Sequence, residues 1–365
     1  MRSKSITRRE LLWSGGAAVL GMAASRALGV PQVPAPASAA KSPVSVVRIK
    51  NDNVAAAVEE ALDLLGGVAE IAKGKQRVML KPNLLAEDPG CTTKPAVVRT
   101  LARLMKSAGK EVSIGEGSAA GVGFNLLGGE VFWTRKTSLI DAMQQHVFEM
   151  LGYTQLARDL GIPLINLHSG DMVSVPVPGG GLCYDTLSLH HSLADTDLLC
   201  SVPMMKTHAL AGVTLGLKNL VGLYPGTVYG TVRSQVHDHA ADRGSPGVAF
   251  EILDMVRANK LGLVVVDGST AMEGDGPSQG VKVPMNVIVA GTNALATDLV
   301  AARLMGFEPH EVPTFACARR IGMSPSSLDE IEVRGAPIAD VARPFARPRL
   351  YTWNEIRSVW GARQL

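Results

Sequence analysis

The chain has 365 residues, 46% of them hydrophobic, 19% charged and 4% aromatic, with a formal net charge of +3. Arg2, Lys4, Arg8, Arg9 and Arg26 stand against Glu10 in the first 39 residues, so the remaining 326 carry a net charge of −1. The overall basicity therefore does not mark a nucleic-acid surface, and no Lys/Arg stripe is interleaved with aromatic residues.

Residues 1–39 read as an address. Thr7-Arg8-Arg9-Glu10-Leu11-Leu12 is a twin-arginine pattern, followed by an apolar run over 13–24 and a Pro/Ala-rich linker. The run is too short to span a bilayer as a mature helix, and Ala37-Ser38-Ala39 fits a small-x-small cleavage site. These features predict removal of the leader, no stable membrane span after cleavage, and delivery to the periplasm by the twin-arginine export machinery. That route carries folded proteins, often with a cofactor already installed, so it points to a cofactor without naming one.

The rest alternates between strand and helix signals. Strands are expected at 44–49, 77–80 and 111–115, with helices at 54–65 and 95–108 between them. A helical stretch over 141–160 leads to a strand at 163–167. Residues 173–189, with Pro176, Pro178 and a triple glycine, read as a small antiparallel insertion. The alternation resumes with a strand at 197–202, a helix at 247–259 and strands at 261–266 and 286–290. Helices at 295–305 and 312–321 precede a last strand at 331–333. This is an α/β pattern: a mainly parallel sheet with helices on both faces. The expected organisation is one α/β domain over 40–345 and a C-terminal arm over 346–365. The glycine-rich region 121–136 reads as a lid or as a surface excursion. Cys91, Cys183, Cys200 and Cys317 lack metal spacing; export permits a Cys183–Cys200 disulfide, but a domain of this size needs no staple, which favours separate buried thiols.

In an open parallel sheet, ligands bind beyond the carboxyl ends of the strands. Four strand exits here carry polar residues: Lys81-Pro82-Asn83, Gly115-Glu116-Gly117-Ser118, Lys206-Thr207-His208 and Asp267-Gly268. They are expected to converge on one crevice. The stretch 203–226 is the most informative. Pro203 is expected to end its strand, and 209–221 has helical length, which would put Thr214 and Lys218 on one face. A cationic pocket for an anion is one reading of its lysines. Lysine stems snorkelling from an amphipathic helix is the other. No full dinucleotide fingerprint and no Walker lysine-serine pattern occurs, which disfavours nicotinamide and ATP sites.

The order Pro203-x-x-Lys206-Thr207-His208, Gly212-Val213-Thr214, Lys218-Asn219-Leu220-x-Gly222 and Pro225-Gly226 resembles the signature of the domain of unknown function 362 family. Lys81-Pro82-Asn83, Gly115-Glu116-Gly117-Ser118, Asp267-Gly268, 273–277, Asp298 and Met305-Gly306 agree with it. The resemblance runs from about 46 to 306 and implies a fold and a site but no established reaction. Many relatives carry a ferredoxin-like cysteine segment; this chain has no iron–sulfur motif.

His237-Asp238-His239 is the remaining constellation. On an extended segment both imidazoles would point the same way, and Asp267 or Asp275 would complete a divalent-metal set; the resemblance favours His237 and not His239. The sequence thus describes an exported protein with a Lys/His/Asp-lined crevice for a small anionic ligand. His208, Lys206 and Lys218 are the catalytic candidates, with His208 as general acid or base. Lys81, Asn83, Glu116, Ser118, Thr207, Thr214, Asn219 and Arg233 are the ligand-binding candidates, and His237, Asp267 and Asp275 the metal candidates. The alternatives are a ligand- or cofactor-binding assembly protein and a redox accessory protein.

Overall fold

Strands whose successive residues are all apolar need cover on both faces. Val287, Val289, Val264 and Val266 enter one hydrophobic core, while their neighbours Ile288, Ala290, Leu263 and Val265 enter a second. The helices Ala249–Ala258, Ala294–Leu304 and Pro313–Arg320 cover the first face. Val54–Asp63, Pro95–Ser107 and Tyr153–Leu160 cover the other. The computed structural model describes residues 40–243 and 248–349. The leader and linker read over 1–39, and the part of the arm beyond 349, lie outside the described residues.

The strands in chain order are β1 (Ser42–Arg48), β2 (Arg77–Pro82), β3 (Glu111–Glu116), β4 (Leu126–Leu127), β5 (Glu130–Val131), β6 (Leu164–Asn166), β7 (Met172–Pro176) and β8 (Thr186–His190). They continue with β9 (Leu198–Val202), β10 (Met204–His208), β11 (Gly212–Thr214), β12 (Leu261–Glu273), β13 (Val281–Val283), β14 (Val287–Gly291) and β15 (Ile331–Gly335). The main sheet runs β15-β1-β14-β12-β9-β2-β3-β6. Its pairs are parallel except where β14 meets β1 and β12. The α/β architecture is therefore mainly parallel, and β7 with β8 forms the small antiparallel insertion. Cys200 is a free buried thiol in β9, so the Cys183–Cys200 disulfide is not formed. Among the described residues, no helix is long and apolar enough to cross a membrane.

The stretch 203–226 departs from the sequence reading. Pro203 does end β9, at Val202, but the chain does not leave the sheet there. The Pro203 carbonyl accepts from Asp267 N at 2.8 Å, and the chain continues as β10 along the long β12. Residues 209–221 are not one helix. Gly212, at φ +76°, permits the turn from β10 into β11, and Thr214 then pairs with Lys206. Only Gly216–Asn219 is α-helical, followed by a 3₁₀ turn over Leu220–Leu223. Thr214 and Lys218 therefore do not share a helix face.

One buried carboxylate holds this short helix. Asp298 accepts from Gly216 N at 2.7 Å and Leu217 N at 2.8 Å. Gly216 admits that approach, since a Cβ there would lie 2.6 Å from Val264 and 2.8 Å from the Asp298 carboxylate. Burial pushes the Asp298 carboxyl up to about 7, against the pull of the two N–H groups. Asp298→Ala should cost about 3 kcal/mol in urea unfolding, because both buried donors lose a charge-assisted acceptor. Asp298→Asn, which keeps one acceptor, should fall between. A loss under about 1 kcal/mol for the alanine variant would show that Asp298 does not hold the turn.

Candidate functional site

Lys81 near the end of β2 and Glu116 at the end of β3 meet in the interior. Lys81 is 0% and Glu116 2% exposed. The Lys81 ammonium lies 2.9 Å from both Glu116 oxygens and donates to Asn219 Oδ1 at 3.1 Å and Pro82 O at 2.8 Å. Glu116 also accepts from Leu84 N and Gly117 N, so its carboxylate is fully engaged. Gly222 makes room for the pair: a Cβ there would lie 2.4 Å from Glu116 Oε1 and 2.5 Å from Lys81 Nζ. Asn219 donates in return to Lys81 O and Ser201 Oγ, which makes it a brace for Lys81.

Above this floor lies a narrow cavity of about 60 Å³. Alternation along β10 decides which residues reach it. Lys206 and His208 line it, whereas Thr207 points away and donates to Gly274 O. Lys206 donates to Cys91 O at 2.6 Å. The Lys218 ammonium meets no hydrogen-bond acceptor and no carboxylate among the described residues. Arg233 donates through Nε to Val221 O at 3.1 Å and through Nη2 to Gly117 O. Its backbone, and that of Val232 before it, has positive φ, +56° and +52°. Such a conformation is unusual for a β-branched residue and is held only where surrounding structure imposes it. Asn83 and Thr214 also line the cavity, and Asn83 Oδ1 and Thr214 Oγ1 are buried without a hydrogen-bond partner.

The lining thus places Lys81, Lys206, Lys218 and Arg233 against the single carboxylate of Glu116. Burial dominates the acidities of these cations. Burial, with Arg233, Lys206 and Lys81 nearby, lowers Lys218 to about 7. Burial lowers Lys206 to about 8 and Arg233 to about 10. Burial also lowers Lys81, though Glu116 opposes the shift.

The two histidines are neutral and carry their protons on different nitrogens. His208 Nδ1 accepts from Leu210 N at 3.1 Å, which places its proton on Nε2. Burial and the charges of Lys218 and Lys206 keep its pKa well below the usual range. His237 Nδ1 lies 2.9 Å from Arg233 O and must donate to that carbonyl, so Nε2 is its acceptor nitrogen. Burial lowers His237 to about 4, with Lys218 contributing. With Nδ1 engaged in this way, the neutral His208 ring presents its Nε2–H donor to the cavity. Lys218, at about 7, has the acidity suited to proton transfer at neutral pH.

Several expected ligands lie elsewhere. Ser118 is outside the cavity, its N–H and hydroxyl both engaged by Gln144. Asp267 is buried in mid-β12 and accepts from Lys94 N and from Ser269 N and Oγ. It anchors the start of the Pro95–Ser107 helix. Asp275 pairs with Arg349 at 2.7 Å. His237 lies on the helix Ser234–Arg243, where i and i+2 residues face different ways, so the extended His-x-His reading fails. No group of three His, Cys, Asp or Glu residues placed to hold a metal occurs among the described residues, and His237, Asp267 and Asp275 do not form one. Sequence reasoning missed Cys91, whose carbonyl seats Lys206, because backbone acceptors leave no residue-type signal.

The Lys218 shift has a signed consequence for stability. Its folded pKa of about 7 lies below the ordinary 10.5. The unfolded chain therefore binds more protons between those values, and stability rises with pH there. Lys218→Met should melt higher than the parent in anion-free buffer at pH 6. The gap should narrow as pH rises through 7 toward 10. A gap independent of pH would mean that Lys218 is not held in an unfavourable charged state.

Residues 78–303 match the family described as a domain of unknown function, DUF362. A thylakoid-associated protein of a Synechocystis species is 27% identical over 297 residues, covering 80% of this chain and 79% of that protein. The lactate racemase apoprotein from Thermoanaerobacterium thermosaccharolyticum aligns at 13% identity with a TM-score of 0.43, over 74% of this chain and 58% of that one. A structural-genomics protein from Thermotoga maritima aligns at 13% identity with a TM-score of 0.36, over 79% of this chain and 60% of that one. The chain thus spans about three-fifths of the length of these solved structures. The family match covers more than half of the sequence and includes β2, β3, β9, β10 and the Gly216–Leu223 turn that build the cavity. The chain belongs to the DUF362 family.

Proposed function

We propose that the protein is an enzyme that binds a small anionic group, a carboxylate or phosphate, in the cavity above the Lys81–Glu116 pair. One observation carries this reading: four cationic side chains surround one carboxylate that is already saturated. Burying like charges without a counter-ion is unfavourable, and a bound anion removes the imbalance. Lys206, Lys218 and Arg233 would hold the anion, His208 Nε2–H and Thr214 Oγ1 would complete its hydrogen bonds, and Lys218 would exchange a proton with the bound molecule. Lys81, Glu116 and Asn219 keep the floor rigid.

Binding should take up a proton above pH 7, because an anion favours the charged form of Lys218. Calorimetry with inorganic phosphate or acetate at pH 8 should give enthalpies that vary with the buffer's ionisation heat, and affinity should fall from pH 6.5 to 9. Lys218→Met and Lys206→Met should each weaken binding roughly tenfold or more, the loss of a charge-assisted contact worth about 1.5–3 kcal/mol. Equal binding by parent and variants, or no binding of phosphate, sulfate or acetate at pH 6.5, would overturn the reading.

The proposed setting is the periplasm, supported by Arg8-Arg9, the apolar run and Ala37-Ser38-Ala39. Replacing both arginines by lysine should leave the precursor in the cytoplasm. Undiminished periplasmic accumulation of that variant would remove the export assignment.

A further inference from the structure

The cationic cavity has a neighbour. A second cavity of about 530 Å³ shares Leu85, Ala119, Val232 and Pro277 with it. The first, at about 60 Å³, has room for a few water molecules or one ionic group. The second lies within the roughly 300–1,000 Å³ of small-molecule sites. Its walls include Ala120, Val122, Leu126 and Val131. Val122 is 58% exposed, an apolar side chain left open beside the space. The β4–β5 hairpin that carries this wall is fixed from beneath: Asn125 takes Gly121 N and donates to Ala119 O and Phe132 O, while Glu87 takes Val122 N.

Charge is segregated between the two spaces. The small one has its cations, whereas Glu87 and Asp88 line the large one, together with Asp275, whose charge is met by Arg349. An anionic group is repelled from the outer space and attracted to the inner one, so a molecule occupying both can enter in only one orientation. We infer that the ligand is an amphiphilic anion, with a carboxylate or phosphate head in the inner cavity and an apolar body in the outer one. This rests on the anion-binding reading above and adds the chemical class of the rest of the molecule. Residues 121–131, part of the region 121–136 readable in sequence as a lid or a surface excursion, are the side wall that the body packs against.

The test is a homologous series at pH 6.5: acetate, butanoate, hexanoate and octanoate, with the corresponding monoalkyl phosphates, measured by calorimetry against inorganic phosphate. Affinity should rise about fourfold per methylene over the first several carbons, then level off as the outer space fills. Octanoate should compete with inorganic phosphate, because the heads share one seat. The Val122→Ser, Leu126→Ser double variant should flatten the series. Binding of phosphate and acetate with no gain along the chain would overturn this inference and leave the anion reading standing. A gain that does not compete with phosphate, or that the double variant leaves unchanged, would place the body elsewhere and also overturn it. Failure of every anion to bind would overturn both.

Discussion

The Lys81–Glu116 ion pair is the interaction on which the rest of the site depends. Both groups are withdrawn from water, and such a pair is tolerable only when the remaining donors and acceptors are met. Here they are: Pro82 O and Asn219 take the ammonium, and Leu84 N and Gly117 N meet the carboxylate. The pair therefore ties together β2, β3, the loop after β2 and the Gly216–Leu223 turn. Breaking it would leave a buried charge and loosen four segments at once.

With Glu116 engaged in this way, no second carboxylate lines the cavity beside Lys206, Lys218 and Arg233 among the described residues. Each is brought in by a separate device. Lys206 comes from strand alternation along β10 and is seated by Cys91 O. Lys218 comes from a one-turn helix held by Asp298. Arg233 follows a positive-φ Val232 and is fastened to Val221 O and Gly117 O. Devices that hold cations together in a protein interior act against folding. Their presence is the physical basis of the proposal that the cavity takes an anion.

The neutral histidines follow first from burial and then from the same cations. Positive neighbours and burial keep both rings unprotonated, and two backbone hydrogen bonds set opposite tautomers. Burial moves lysine acidity down toward neutrality as well, with the neighbouring cations adding to the shift at Lys218. A site built this way has a lysine, rather than an imidazole, in the range where proton transfer at pH 7 is efficient.

The sequence by itself determined the class of fold, because runs such as Val264-Val265-Val266 and Val287-Ile288-Val289 are apolar at every position and demand cover on both faces. It also placed Lys81 and Glu116 at or near strand ends, where a parallel sheet collects its ligands, whereas Lys206 lies in the middle of β10. The tertiary structure decided the rest. Thr207 and His208 are adjacent in sequence and part company by the pleat of a strand that periodicity had read as a strand exit. Asp267 looked like a fourth strand exit, but β12 runs on past it to Glu273, so its carboxylate went to a helix start instead. Residues 209–221 have helical spacing, but pairing of Thr214 with Lys206 and the left-handed Gly212 outweighed it. Propensity is local and weak; the partner strand, the buried carboxylate that caps a turn and the second cavity beside the first come from residues distant in the chain, and no local pattern contains them.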